Sequence, residues 1–252
     1  MCGILKKKTK KLFMKLIILI IDSLEPHYVR LKQTQKDTWN NENFNNHTTF
    51  YYSFNNSVDK ITHTDTDLII PGNEGFFNIG KKTLIAFDYI LNNFDFDFVF
   101  RTNLSSYIDT KLLYEHINNN NLIYDGIVGN FKGLFEFCSG SGYVIRKDII
   151  KKVIDNQNIW NHQLIDDCSL AEVLHKQNIF PDKKAKRYDY HESFNVFYNE
   201  RNEIQQVKTD VHKSVLNNYH YRIKIPNNRN LELDIHREIH KLRNLHRGNN
   251  EN

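Results

Sequence analysis

Three short strings hold the side chains best suited to chemistry: Arg101-Thr-Asn-Leu-Ser-Ser-Tyr107, Cys138-Ser-Gly-Ser-Gly-Tyr143 and Asp166-Asp-Cys-Ser-Leu170. The first ends the apolar run Phe98-Val-Phe100 in an abrupt polar turn. Its Arg101 guanidinium is a planar fork that matches phosphate oxygens in pairs. Asn103 and Ser105 offer neutral oxygens, to which a divalent cation binds far more weakly than to carboxylates. In the second string Gly140 and Gly142 either let backbone approach a ligand closely or simply turn the chain ahead of a strand. In the third, Asp166 and Asp167 precede an apolar helical pattern at Leu170, Val173 and Leu174. Adjacent carboxylates there either complement a helix N-terminus or take up a proton from a reacting hydroxyl. A literal Asp-x-Asp also occurs at Asp95-Phe-Asp97, but it precedes the apolar strand, so its carboxylates are expected at the opposite end of the sheet.

The elements that must position these strings alternate along the chain. Strand-like runs recur at Leu16–Ile21, Thr49–Phe54, Asp67–Ile70, Phe96–Arg101, Gly126–Asn130 and Gly142–Ile145, with helical periodicity over Gly80–Asn92, Thr110–Asn118 and Asp148–Ile154. Asp109 stands where it can start the second of those helices. Such alternation predicts an α/β fold with a mainly parallel sheet covered by helices on both faces. Ligands of such sheets lie beyond the carboxyl ends of the strands, where the turn after Arg101 belongs. The chain divides into a domain over residues 1–197 and an extension over 198–252, where apolar density drops. Leu231 to Leu245 reads as a terminal amphipathic helix packed on the domain.

With 252 residues, 40% of them hydrophobic, the chain can build one substantial core. A net charge of +4 suits an anionic ligand but is too small and too scattered for a nucleic-acid binder. Lys6–Lys11 followed by Leu12–Ile21 looks superficially like a leader, yet Lys15 interrupts it and only Leu16–Ile21 remains apolar without a break. Six residues cannot span a bilayer, so this segment is expected to be a buried first strand, with no membrane span. Cys2, Cys138 and Cys168 show no metal or disulfide spacing. Reduced thiols in an intracellular protein are the expectation, and a Cys138–Cys168 pair stays open.

In this order the strings resemble the signature blocks of GT-A nucleotide-sugar glycosyltransferases, closest to the Fringe and β3-galactosyltransferase family. Lys36-Asp-Thr-Trp39 is similar to that family's Arg-x-Thr-Trp block, with lysine for arginine. Asp67-Leu-Ile-Ile70 and Asn78-Ile-Gly-Lys-Lys-Thr83 resemble its Asp-Ile block and its Asn-Leu-Thr-x-Lys-Thr helix start. The Arg101 turn takes the place of Lys-x-Asp-Asp-Asp-x-Phe, but Asn103, Leu104 and Ser105 replace all three carboxylates. Cys138–Tyr143 is similar to Cys-x-Gly-Gly-Gly-Tyr, and Asp166–Leu170 to the Asp-Asp-x-Thr and Glu-Asp-Val blocks. The resemblance spans about Leu16 to Phe194 and extends to glycosyltransferase-like chains of large DNA viruses.

The resemblance implies a Rossmann-like GT-A fold and transfer of a hexose from a UDP-sugar to a carbohydrate or glycoprotein hydroxyl through an inverting reaction. Such transfer needs the diphosphate neutralised, the acceptor hydroxyl deprotonated and the donor held in line. Asp167, beside Asp166, then matches the general base. Asp67 falls near the donor base, and Lys82, Arg101, Thr102, Asn103, Ser105, Gly140 and Gly142 fall along the donor. Asn103 and Ser105, with His191, take the place of the ligands to Mn²⁺ or Mg²⁺, a site weakened by the lost aspartates. A catalytically silent GT-A domain that binds sugar nucleotide or glycan is the alternative reading.

Overall fold

A computed structural model describes residues 14–41, 47–191, 195–198, 204–206 and 217–250. Cys2 and the basic stretch Lys6–Lys11 lie outside the described residues. The first of two sheets contains β1 (Leu16–Ile21), β2 (His47–Asn55), β3 (Thr62–His63), β4 (Asp67–Pro71), β5 (Phe98–Asn103), β7 (Tyr124–Phe131) and β8 (Phe135–Arg146). Their spatial order is β3-β4-β2-β1-β5-β8-β7. Strands β4, β2, β1 and β5 run parallel, whereas β3, β8 and β7 are antiparallel to their neighbours. The sheet is therefore mixed, with a parallel half and an antiparallel half meeting between β5 and β8. This is an α/β, Rossmann-like arrangement.

β1 sits in the middle and is buried on both faces, as an unbroken run of leucine and isoleucine requires. The period of two divides its side chains. Leu16, Ile18 and Ile20 join one core with Leu31, Trp39, Phe100, Leu113, Tyr221 and Ile239. Ile17 and Leu19 join the other with Phe50, Tyr52, Phe87, Val99, Ile145 and Leu174. Helix α2 (Ile79–Asn93) covers the second face together with α4 (Lys147–Asp155) and α5 (Asp166–His175). On the first face α1 (Pro26–Asp37) packs against the terminal helix α6 (Arg229–Asn250).

The second sheet has the order β11-β10-β9-β12-β6, built from β6 (Ser106–Ile108), β9 (Arg187–Tyr190), β10 (Asn195–Tyr198), β11 (Ile204–Gln206) and β12 (His220–Ile223). β5 ends at Asn103 and β6 begins at Ser106, so the polar turn is the junction between the two sheets. The segment after residue 198 does more than rest on the domain. Its strand β12 lies between β9 and β6, and the boundary drawn at 197/198 falls inside β10. α6 is fastened as well: Glu232 accepts from Ile225 N (2.6 Å) and lies 2.8 Å from His27 Nε2, while Arg243 and Arg247 both bind Asp109. Asp109 also caps α3 (Thr110–Asn120), accepting from Leu112 N at 2.8 Å. Among the described residues no helix is long and apolar enough to cross a membrane.

Candidate active site

The parallel strands β1, β2, β4 and β5 all end on one edge, and the residues that follow them define the site. After β1 comes Asp22, whose carboxylate binds Lys32 of α1 at 2.5 Å. Lys32 also binds Asp67, the first residue of β4, and Lys36 lies 3.6 Å from the same carboxylate. Both lysines stand over the Tyr51 ring, at 4.9 and 5.2 Å from its centroid. Lys32, though half-buried, is held above the usual lysine range by Asp22 and Asp67 against the opposing effect of burial. Asp67 is held below the usual carboxylate range by Lys32, Thr66 and Lys36, again against burial. Asp67 opens β4 level with Tyr51 of β2 and Ile20 of β1, and it already carries two cationic partners.

Lys82 reaches the same edge from α2. It is 1% exposed and donates to both Glu74 oxygens at 2.8 Å and to Asp22 O at 3.0 Å. Burial pulls its ammonium below the ordinary lysine range, with Glu74 pulling the other way. Glu74 comes from the loop after β4, where it also accepts from Phe54 N at 2.7 Å.

Arg101, near the end of β5, is the centre of the second cluster. Its guanidinium, 1% exposed, binds the Asp166 carboxylate and the Gly140 carbonyl oxygen, and its Nε donates to Tyr52 Oη at 3.3 Å. Directly across the β5–β8 pairing, the Tyr143 ring lies 5.6 Å from it. Asp167 completes the cluster: its Oδ2 accepts from Gly140 N at 2.7 Å, and its Oδ1 from Cys168 N at 2.9 Å. Position Ile165, not either aspartate, is the N-cap of α5, and no side chain caps it. Asp166 is turned toward Arg101 of β5 and Asp167 toward Gly140 of β8, with Asp167 Oδ1 also taking a first-turn N–H of α5. Burial and the neighbouring Asp166 push the Asp167 carboxyl above the usual carboxylate range, opposed by the Gly140 N–H and by Arg101. A buried carboxylate of raised proton affinity can receive a proton from a hydroxyl brought to it.

Around the turn itself the remaining candidates hold the scaffold. Thr102 Oγ1 donates to Ser141 O at 2.6 Å. Asn103 Oδ1 accepts from Ser105 N at 3.1 Å and lies 3.3 Å from the Ser106 hydroxyl, closing an Asx turn. Ser106 Oγ is also 3.1 Å from His220 Nε2. Burial, then Arg187 and Arg222, depress His220 well below the usual histidine range, so this ring is neutral. Asn103 and Ser105 thus contribute to a turn. His191 follows β9 in a separate groove of about 460 Å³ with Tyr190, Ile225, Leu231 and Ile235. Ladder bonds from Ile223 N to Ser105 O (2.7 Å) and from Lys224 N to Tyr190 O (3.3 Å) put it two strand spacings from the turn, roughly 10 Å. A neutral pair of oxygens in a closed turn, with the histidine that far off, does not fit a divalent cation. Among the described residues no group of three or more His, Cys, Asp or Glu side chains is arranged to hold one. The Asp95-Phe-Asp97 string precedes β5 at the far end, where Asp95 pairs with Lys15 and Asp97 accepts from Lys15 N at 2.7 Å.

The glycine string is not a turn ahead of a strand: Cys138 to Tyr143 lies within β8. Its glycines admit internal side chains. A Cβ on Gly140 would stand 2.8 Å from Arg101 Nη1 and 3.0 Å from Asp167 Oδ2. One on Gly142 would overlap His220 Cε1 and stand 2.7 Å from its Nδ1 and 2.9 Å from Phe100 Cζ. Gly142→Ala is therefore expected to destabilise the fold by about 1–3 kcal/mol, an overpacking cost, read as a lowered urea midpoint. An unchanged midpoint would show that β8 and His220 separate freely.

Sequence reasoning missed Glu74, Lys32, His220, Ser141 and Arg187. Only Lys32 carried a signal, through its spacing to Lys36 on one helix face; the others depend on contacts across the fold. Cys138 and Cys168 are both free and buried.

The site thus belongs to an α/β protein whose parallel strand ends carry a lysine–carboxylate cluster beside a buried arginine and two aspartates. No protein-family model matches the chain, and no curated protein sequence matches it.

Proposed function

We propose that the protein is a glycosyltransferase of GT-A type that moves a hexose from a nucleotide sugar, with UDP as the leaving group, to a carbohydrate or glycoprotein hydroxyl with inversion. One observation carries this reading: Arg101, Gly140 and Asp167, from blocks 39 and 27 residues apart, meet at one point on the strand-end edge. In the proposed reaction Asp167 accepts the acceptor's hydroxyl proton. The freed oxygen bonds to the anomeric carbon, and the carbon–oxygen bond to the diphosphate breaks as UDP departs with the electron pair. Arg101 fixes Asp166 and Gly140, which aims Asp167 and keeps Asp166 from adding an uncompensated charge. Lys82 meets the diphosphate by exchanging Glu74 for phosphate oxygens, and Asp67 with Lys32 lies toward the nucleoside. The two free thiols suit the intracellular placement proposed for the protein.

Because Asn103 Oδ1 is engaged in the turn and Ser105 offers only a neutral hydroxyl, transfer is expected to survive EDTA with less than a severalfold loss. Asn103→Asp is expected to introduce a response to Mn²⁺. Activity abolished by EDTA and restored by Mn²⁺ would contradict this assignment of the turn.

A catalytically silent domain that binds sugar nucleotide or glycan is the second reading. It is favoured by the internal pairing of both Arg101 and Lys82. Donor hydrolysis measured with and without Mn²⁺ separates the two: a silent domain binds UDP-sugar and releases no UDP under either condition.

A further inference from the structure

Two adjacent phenylalanines sit beside the site with no role in the scaffold. Phe76 and Phe77 are 66% and 76% exposed, with ring centroids 5.6 Å apart in an edge-to-face pair. Their loop leaves the carboxyl end of β4, so it rises from the same edge as Asp22 and Asn103.

That loop is firmly built. Glu74 ties it to Lys82 and Phe54 N, and Asn78 Nδ2 donates to Asn73 O at 2.9 Å. A Cβ on Gly80, one turn further on, would stand 3.0 Å from Trp160 Nε1, and Trp160 leads into the segment that carries Asp167. Phe76 and Phe77 precede the N-terminus of α2, Asp167 lies in the first turn of α5, and these two helices pack together. Two large apolar side chains held in water on an anchored loop mark a contact surface. Its size selects the occupant. Two rings exposed to this degree offer on the order of 300 Å², against ~800 Å² per partner in a stable protein interface. A single disc-shaped ring fits that area. Of the loop's polar side chains, Glu74 and the Asn78 amide nitrogen are already engaged, which leaves the Asn73 amide and Asn78 Oδ1 to read the edge of a nucleobase. A pyranose needs only its C–H face covered while its hydroxyls stay hydrated.

We propose that Phe76 and Phe77 form the acceptor platform, stacking on the C–H face of a pyranose ring, so that the acceptor is a saccharide and not a bare polypeptide. This rests on the glycosyltransferase reading of the neighbouring site.

Saturation-transfer NMR with methyl β-galactoside, methyl β-glucoside and methyl β-N-acetylglucosaminide tests it on the full chain, with uridine as a separate probe. The expected result is transfer to ring C–H protons of at least one glycoside. Affinity should fall about tenfold in the Phe76→Ala/Phe77→Ala variant, with uridine binding alike in parent and variant. The exposed positions predict an unchanged melting temperature for the double variant. Glycoside binding unaffected by the double substitution, no glycoside binding at all, or a loss confined to uridine would each overturn the proposal. Glycoside binding that needs both phenylalanines in a protein releasing no UDP from UDP-sugars would refute the transfer reading and leave the platform standing. Equal transfer to a peptide serine by parent and double variant would do the reverse.

Discussion

Asp167→Asn is expected to lower the rate of the proposed sugar transfer by about 10²–10⁴-fold, the usual worth of a positioned general base. Asparagine keeps the shape and can still accept from Gly140 N, but it cannot take the acceptor's proton. Donor binding is retained, because Asp167 faces Gly140 and Arg101 while the lysine cluster belongs to β1, α1 and β4. Stability responds in a defined direction. Burial and Asp166 hold the Asp167 carboxyl above its ordinary range, so folding favours its protonated form. That contribution is complete below the ordinary carboxylate range and is lost as pH rises through the raised value. A neutral asparagine therefore keeps or raises the melting temperature at neutral pH, and the difference from the parent narrows in acid. The proposed activity is expected to fall on acidification through a pKa above the ordinary ~3.9 of an aspartate. A rate–pH profile flat across that range would show that another group takes the proton.

Removing Arg101 acts on the fold. Arg101→Ala strips the Asp166 carboxylate of its partner inside a nearly closed cluster and leaves two adjacent aspartates facing each other. Breaking a buried pair from one side costs about 3–5 kcal/mol, far more than the ~1 kcal/mol of an exposed pair. Denaturant unfolding at neutral pH reads this directly. The deficit shrinks as acid neutralises the carboxylates, because the penalty is that of uncompensated negative charge. Arg101→Lys keeps the charge but not the fork that reaches both Asp166 and the Gly140 carbonyl, so it falls between parent and alanine. A loss below 1 kcal/mol for Arg101→Ala would mean the cluster is open to water.

The parallel half of the sheet was legible because β1, β2 and β5 are buried on both faces and β4 is a short apolar run, and α2, α3, α4 and α6 carry apolar residues at helical spacing. Helix α1 was not, since its buried positions are Leu31, Thr34 and Gln35, which leave no apolar stripe to detect. Gln35 is buried because its amide spans the turn, donating to Leu104 O and Ser106 O at 3.0 and 2.8 Å. The second sheet escaped notice because its strands are three or four residues long and rich in tyrosine and arginine, as in Arg187–Tyr190 and His220–Ile223. β8 was shortened to Gly142–Ile145 because Ser-Gly-Ser-Gly reads locally as a turn, whereas His220, Arg101 and Asp167 fill the space the glycines leave. At the site, the meeting of Arg101 with Asp166 and Gly140 was not written in any one string. Arg101 and Lys82, the groups expected to meet phosphate, hold Asp166 and Glu74 of this chain.

The most direct test of the transferase assignment is UDP release. The purified protein is incubated with each of several UDP-hexoses and a saccharide acceptor, in parallel with Asp167→Asn. Acceptor-stimulated release of UDP from at least one donor by the parent, reduced at least a hundredfold in Asp167→Asn while UDP-sugar binding persists, is the predicted result. Binding of UDP-sugar without release by either protein, or release at equal rates from both, would contradict it.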